Sequence, residues 1–286
     1  MLPSILRTVF VLSALVQVTH AVAQSHATAQ AGGLEVSVVD LNSSDGVDAT
    51  VTFYGADLVV IPRLWNGNLQ SDQQQTLNFK APWAAFSAEF SGSHGQATVI
   101  AQGATSFLDA TKISANASVN RPVFSGDLLT LNIAEASATG AIPFLLSPYS
   151  EVQFSLVVTL SASTAGGYLN EASNADFAES KASIYYHPGI GDNVSALARI
   201  TASGIATSPG SGLASFVGGE DGRSIVLHSS VVNNSSEVLD TAVFFGLQTQ
   251  GWTYVSAVPE PGQFVLWGLG LLGIATAARR RPLGNR

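Results

Sequence analysis

No cysteine occurs in the 286 residues, and methionine occurs once, at position 1. Disulfide scaffolds, zinc–thiolate centres and cysteine nucleophiles are thereby excluded, and any fold must be held by burial alone. Charge is scarce as well, at 11% of residues, and basic charge is scarcest. Between Gln24 and Ala257 seven bases (Arg63, Lys80, Lys112, Arg121, Lys181, Arg199, Arg223) stand against nineteen acids, a balance of −12. Seven scattered cations cannot neutralise a run of phosphates, so no nucleic-acid partner is expected. The same scarcity argues against docking of the body on anionic headgroups. Disorder is excluded from the other side, because 46% of residues are hydrophobic, enough for about 230 residues to enclose a full core.

Catalytic signatures are also missing. The histidines of the body, His26, His94, His187 and His228, are far apart in the chain, with no HxH or HExxH pair to build a zinc site from one element. No G-x-S-x-G elbow presents a nucleophilic serine. A GxGxxG (Gly268, Gly270, Gly273) lies inside an apolar run with no strand before it and no ribose-binding acid after it, so its glycines only keep a hydrophobic helix slim. A non-enzyme without cofactor or metal is expected. Asp40-Leu41-Asn42-Ser43-Ser44-Asp45-Gly46-Val47-Asp48 gathers oxygen ligands of the kind calcium prefers, but its glycine and its twelfth residue, Val51, depart from the EF-hand pattern. An acidic turn whose side chains cap their own backbone is the simpler reading. Asn-x-Ser sequons stand at Asn42, Asn116, Asn193, Asn233 and Asn234. Trp65, in the loop-like RLWNGNLQ, is a candidate for stacking on a sugar ring or for plugging the end of a sandwich.

What is present is period-two alternation. Val152, Phe154, Leu156, Val158 and Leu160 interleave with mostly polar neighbours, the pattern of a half-buried antiparallel strand. LEVSVVDL (34–41), VDATVTFY (47–54), DLLTLNIA (127–134) and RSIVLHSSVV (223–232) repeat it. Turn clusters separate these runs, at Asn42–Gly46, Ser91–Gly95, Ser208–Gly212, Glu220–Gly222 and Asn233–Ser236. SIVLHSSVV, NNSS and EVLDTAVFFGL together predict a long hairpin. Asn170–Ala182 is the best helical candidate in the body, as a short helix or a loop. Ser147-Pro148 marks either a boundary between two halves or a strand crossing between sheets. The expected fold is all-β: an antiparallel β-sandwich body over residues 24–257, flanked by an N-terminal signal helix and a C-terminal transmembrane helix.

The ends differ from the body. Residues 1–23 combine Arg7, the apolar stretch Val9–Val18 and the small-residue site Ala21-Val22-Ala23, the layout of a secretory signal peptide cleaved after Ala23. Ala27-Thr28-Ala29 offers a second small-x-small site. At the other end, residues 258–286 hold Pro259, Glu260 and Pro261, then a charge-free run from Phe264 to Ala278, then Arg279, Arg280 and Arg281. From Pro261 the uncharged run extends to 18 residues, about 27 Å as a helix. The arginines supply a positive-inside stop that leaves the body outside the cytoplasm. The two prolines hold Glu260 in the extended form that a protease or transpeptidase cleft accepts.

VPEP, a glycine-rich apolar span and an arginine cluster, in that order, resemble the PEP-CTERM sorting signal of Gram-negative bacteria. LPxTG is absent. The resemblance implies recognition at Pro259, Glu260 and Pro261 by exosortase, a membrane stop at Arg279, Arg280 and Arg281, and association with exopolysaccharide and biofilm. The expectation is therefore an exported protein, delivered by the Sec machinery, held transiently in inner-membrane lipid through its C-terminal helix, then released to the cell surface or extracellular matrix as a structural or adhesive component. Two alternatives stand beside it: a permanently anchored single-pass surface protein, and a secreted carbohydrate-binding protein or hydrolase.

Overall fold

The computed structural model describes residues 24–66, 71–92, 94–120, 130–164, 167–169, 177–186, 194–203, 205–206, 214–217 and 219–255. The signal segment with Ala21 and Ala23, the sorting motif Pro259–Pro261, the span 264–278, the stop Arg279–Arg281, His187, Asn193 and the turn 208–212 lie outside the described residues. The described residues fall within one compact unit, Val22–Ser256.

In chain order the strands are β1 (Gln24–Asp40), β2 (Val51–Phe53), β3 (Asp57–Asn66), β4 (Ser71–Gln74), β5 (Leu77–Lys80), β6 (Phe86–Gly92), β7 (Gly95–Ala101), β8 (Ile113–Asn120) and β9 (Thr130–Leu146). They continue with β10 (Ser150–Thr164), β11 (Gly167–Leu169), β12 (Phe177–Tyr186), β13 (Val194–Ser203), β14 (Ile205–Ala206), β15 (Ala214–Val217), β16 (Glu220–Asn233) and β17 (Leu239–Val255). A 3-10 turn, Phe107–Thr111, precedes β8. The first sheet runs β16-β10-β1-β8-β7-β6 and the second β13-β12-β17-β9-β3-β4, with β2 also on β9 and β5 on β3. A small third sheet is β11-β15-β14. The registered pairings are antiparallel.

Alternation builds the core. In β10 every second residue from Ser150 to Thr164 is buried, and β8, β9 and β17 follow the same rule, while β12 departs from it at Glu179, buried between Ala178 and Ser180. The inward faces of the two main sheets meet, β1 and β8 against β17, β10 against β12 and β13, β7 against β9. Phe144 and Phe154 pack tilted at 5.4 Å near the β9–β10 crossing, whereas alanines (Ala27, Ala29, Ala115, Ala117, Ala134, Ala136) line the other end. Each large buried ring removes enough apolar surface that its loss to alanine costs about 3–5 kcal/mol. In β1 the register shifts between Ala31 and Leu34, a bulge at Gly32-Gly33 that keeps both residues facing inward. Thr111 caps the bulge by donating to the Gly32 carbonyl at 2.7 Å.

Several local expectations change. β16 and β17 do not form a hairpin: β16 pairs with β10 in the first sheet, and β17 with β12 and β9 in the second. Alternation reports which face of a strand is buried but not which sheet receives it, and two consecutive strands can enter opposite sheets as well as lie side by side. Ser147-Pro148 belongs to a crossing of this type, carrying the chain from β9 to β10. Residues 177–182 of the helical candidate are strand β12, and its residues 170–176 lie outside the described ones. Of VDATVTFY only Val51–Phe53 is strand. Trp65 is not in a loop but in β3.

Candidate functional site

Among the described residues, the outward face of the second sheet carries a row of half-buried apolar side chains and, beside it, a row of polar ones. Leu64, buried at 8% exposure, points inward, so Trp65 beside it points out. Register then aligns Trp65 with Ile133 on β9, Ile133 with Trp252 on β17, and Trp252 with Phe177 on β12. All four side chains are half-buried. Phe177 and Trp252 stack at 4.0 Å with an interplanar angle of 16°. One face of the Trp252 indole is thus occupied. Trp252 and Trp65 rise from strands two spacings apart, about 9.6 Å between backbones.

A polar row runs beside this apolar one. Two residues along the same strands stand Glu179, Gln250, Glu135 and Arg63, aligned by register in that order, and a further step brings Lys181, Gln248 and Ser137. These groups bind one another. Arg63 makes a two-pronged bridge to Asp72 of β4, Nε–Oδ1 at 2.9 Å and Nη2–Oδ2 at 2.8 Å. That pairing raises the Arg63 guanidinium and holds the Asp72 carboxyl below its usual range. Gln248 donates to Glu135 at 2.8 Å, and Lys181 bridges Glu179 at 2.5 Å. At the far end of the face Tyr185 and Phe244 stack at 5.3 Å.

The remaining candidates resolve into structural contacts. Asp40 and Asp45 accept from the backbone amides of Asn42 and Val47, both at 2.8 Å, and Ser44 donates to Asn42 at 2.8 Å. This is an acidic turn capping itself. Among the described residues no three His, Asp or Glu side chains form a group suited to a metal ion. His228 shares a 2.9 Å hydrogen bond with Ser155 across the β10–β16 ladder, and His26 and His94 sit on the first sheet and in the β6–β7 turn. Trp83 donates to the Gln102 carbonyl at 3.2 Å and packs against the core. Asn233, one of the sequon residues, is buried at 4% exposure. The aromatic row itself was not legible, because its members come from four strands separated by up to 187 positions in the chain. The only trace in the sequence was aromatics standing at the outward, nominally polar positions of alternating strands.

Beyond the described residues, a family model for the PEP-CTERM protein-sorting motif matches residues 257–281. The chain carries a PEP-CTERM sorting motif. The PEP-CTERM signal implies export, a transient stay at the membrane, processing by exosortase and delivery toward the cell surface. No curated protein matches the chain in sequence. Among solved structures, one concerned with the promiscuous specificity of carbohydrate-binding modules from the β-sandwich superfamily aligns at 10% identity over 74% of this chain and 97% of that one, with a TM-score of 0.09. The vicilin from Solanum melongena aligns at 6% identity over 79% and 72%, with a TM-score of 0.08. Scores of that size carry no argument about fold or ligand.

Proposed function

We propose that this PEP-CTERM protein is a non-enzymatic, structural or adhesive component of the extracellular matrix, in contact with exopolysaccharide. The Sec machinery delivers it, cleavage after Ala23 frees the body, and the helix over 264–278 with Arg279–Arg281 holds it in the inner membrane until exosortase acts at Pro259–Pro261. The observation that carries the sorting reading is the match at residues 257–281. Two features support the rest. β1 starts at Gln24 and buries Ala27 and Ala29 completely, so a cut after Ala29 would remove core residues from the centre of the first sheet, while a cut after Ala23 leaves the strand whole. The described imidazoles and turn carboxylates stand apart, in ladders and caps, and do not converge on a reacting position.

Fractionation of cells with and without a functional exosortase tests the sorting. The body is expected outside the cells in the first case and with the inner membrane in the second. Identical release in both would end the proposal, and a mature C-terminus still containing Arg281 would favour permanent anchoring.

A further inference from the structure

We propose that the end of the sandwich built by residues 39–54, 145–151 and 232–240 is a docking surface for a cationic, partly apolar polypeptide segment of another exported protein. This goes beyond both the polysaccharide contact and the sorting reading and depends on neither.

The three segments form one surface. Register aligns Val39 with Glu151 and Glu151 with Val232 on the first sheet, and Thr52 with Leu145 and Leu145 with Asp240 on the second. Between the sheets the Leu41 N–H donates to the Tyr149 carbonyl at 2.9 Å, the Tyr149 N–H to the Ser235 carbonyl at 3.2 Å, and the Ser147 N–H to the Thr50 carbonyl at 3.0 Å. β1 starts and β17 ends at the opposite end of the body, where Ser25 Oγ donates to the Trp252 carbonyl at 2.8 Å. Neither continuation of the chain leaves from this tip.

Its apolar groups are open to solvent. Of the eleven exposed large hydrophobic side chains among the described residues, all but Ile100, Val157 and Val226 stand in these three segments. Val238 is the most open at 57% exposure, followed by Val47 at 54% and Tyr54 at 52%. Exposed apolar groups gathered at one end and rimmed by polar ones mark a contact surface.

Tyr149 adds a second observation. It is the non-glycine residue with positive φ among the described ones, at 48°, and its side chain is exposed. A bulky side chain strains that conformation, whereas glycine or asparagine adopts it readily. An aromatic ring held at the surface against the preference of its own turn points to a use for the ring outside the fold.

Charge selects the occupant. Asp40, Asp45, Asp48, Glu151, Glu237 and Asp240 belong to the same segments, which contain no Lys, Arg or His. The donors that reach these carboxylates are neutral: the backbone N–H groups of Asn42 and Val47, the side-chain amides of Asn42 and Gln153, and the Tyr54 hydroxyl. Among the described residues no cation bridges them. Six uncompensated carboxylates repel an anionic lipid surface, a uronate polymer and a second copy of the same tip. A neutral glycan leaves them unpaired. Lysines or arginines interleaved with apolar side chains satisfy both the carboxylates and the exposed apolar groups.

The test uses the mature protein purified after export and fluorescence anisotropy with three labelled peptides: lysine alternating with leucine and phenylalanine, the same peptide with glutamate for lysine, and the same peptide with serine for its apolar residues. Binding of the first is expected, weakened by salt, with the other two bound at least about tenfold less tightly. Tyr149→Asn and Val238→Ser should each weaken binding about tenfold, and Tyr149→Asn should leave the melting midpoint unchanged or raised. Asp48→Asn with Glu237→Gln should weaken binding and flatten its salt dependence, whereas Val226→Ser, outside the tip, should leave it unchanged. Equal binding by the lysine–serine peptide, an equal loss in Val226→Ser, or unchanged binding in folded Tyr149→Asn and Val238→Ser would overturn the site. A lower melting midpoint for Tyr149→Asn would assign its ring to the fold and overturn its role here, leaving Val238→Ser to decide the surface. Self-association abolished by Val238→Ser would give the tip to a second copy and overturn the cationic partner. No binding of the first peptide, with exosortase-dependent release intact, would overturn the proposal and leave the sorting reading standing.

Discussion

Asn233, the last residue of β16, donates from Nδ2 to the Ser147 carbonyl at 3.0 Å, joining two chain crossings that lie 86 positions apart. The same amide donates to the Leu146 and Glu237 carbonyls at 3.2 and 2.8 Å, and its Oδ1 accepts from the Ser235 backbone N–H and hydroxyl. This buried side chain thus ties together both links between the sheets at this end, beside a backbone bond from the Tyr149 N–H to the Ser235 carbonyl at 3.2 Å. Asn233→Ala strands several carbonyls without donors, at about 3 kcal/mol. The melting midpoint should fall by about 6–12 °C; a drop of less than 2 °C would show that the crossings hold without it.

Gly140 lies beneath the ring of Phe245, its cross-strand neighbour on β17. A Cβ at Gly140 would overlap that ring and come within 2.6 Å of the Asp57 carbonyl oxygen. Backbone cannot yield as a flexible side chain can. Gly140→Ala is expected to cost about 1–3 kcal/mol through overpacking, and the double variant Gly140→Ala with Phe245→Leu should recover part of the loss in urea titration.

Thr253 and Asn132, paired in register between β17 and β9, are both fully buried, and neither the Thr253 hydroxyl nor the Asn132 amide finds a partner among the described residues. A buried unpaired hydroxyl costs about 1–3 kcal/mol. Thr253→Val keeps the shape and removes the hydroxyl, so stability should rise by about 1 kcal/mol and the melting midpoint by about 2–4 °C. A fall would contradict this account.

Acid should act in two steps. Burial holds the His26 imidazole below its ordinary 6.5. The unfolded chain then binds that proton more readily, and the contribution is intact above about pH 6.5 and lost as pH falls from there toward the lowered value. Hydrogen bonding from Arg63 depresses the Asp72 carboxyl, and Lys112 followed by Ser106 depresses that of Asp109, both below 3.8. Their contribution is present above that value and disappears as pH drops through the depressed range. Melting between pH 8 and pH 2 should show both declines, and His26→Gln should erase the upper one alone.

Pro259→Ala with Pro261→Ala removes the two prolines whose rings restrict the backbone on either side of Glu260 toward extended forms. The body of this variant is expected to accumulate with the inner membrane. Release equal to that of the unaltered chain would separate the proline pair from sorting.

Much of the architecture was legible in the order of residues, because burial on a strand has a period of two and the chain keeps that period. Val152 to Leu160 point inward as their alternation predicts, and the same holds for Leu227 and Val231 of β16. The acidic turn at Asp40–Asp48 was equally local, since Asx side chains close on amides two residues away. β12 was missed where Ala178, Ser180 and Ala182 supply its buried positions, small residues with little hydrophobic contrast against their neighbours.

Sequence alone determined the all-β class and the sorting address near the carboxyl terminus, because strand alternation and a contiguous motif are both written in neighbouring residues. Only the tertiary structure decided that β16 and β17 enter different sheets, β16 opposite β13 and β12 and β17 opposite β1 and β8, and that Phe177, Trp252, Ile133 and Trp65 form one row. Strand partners are chosen by the total burial of the two sheets, a sum over distant segments to which no single stretch of chain holds the key.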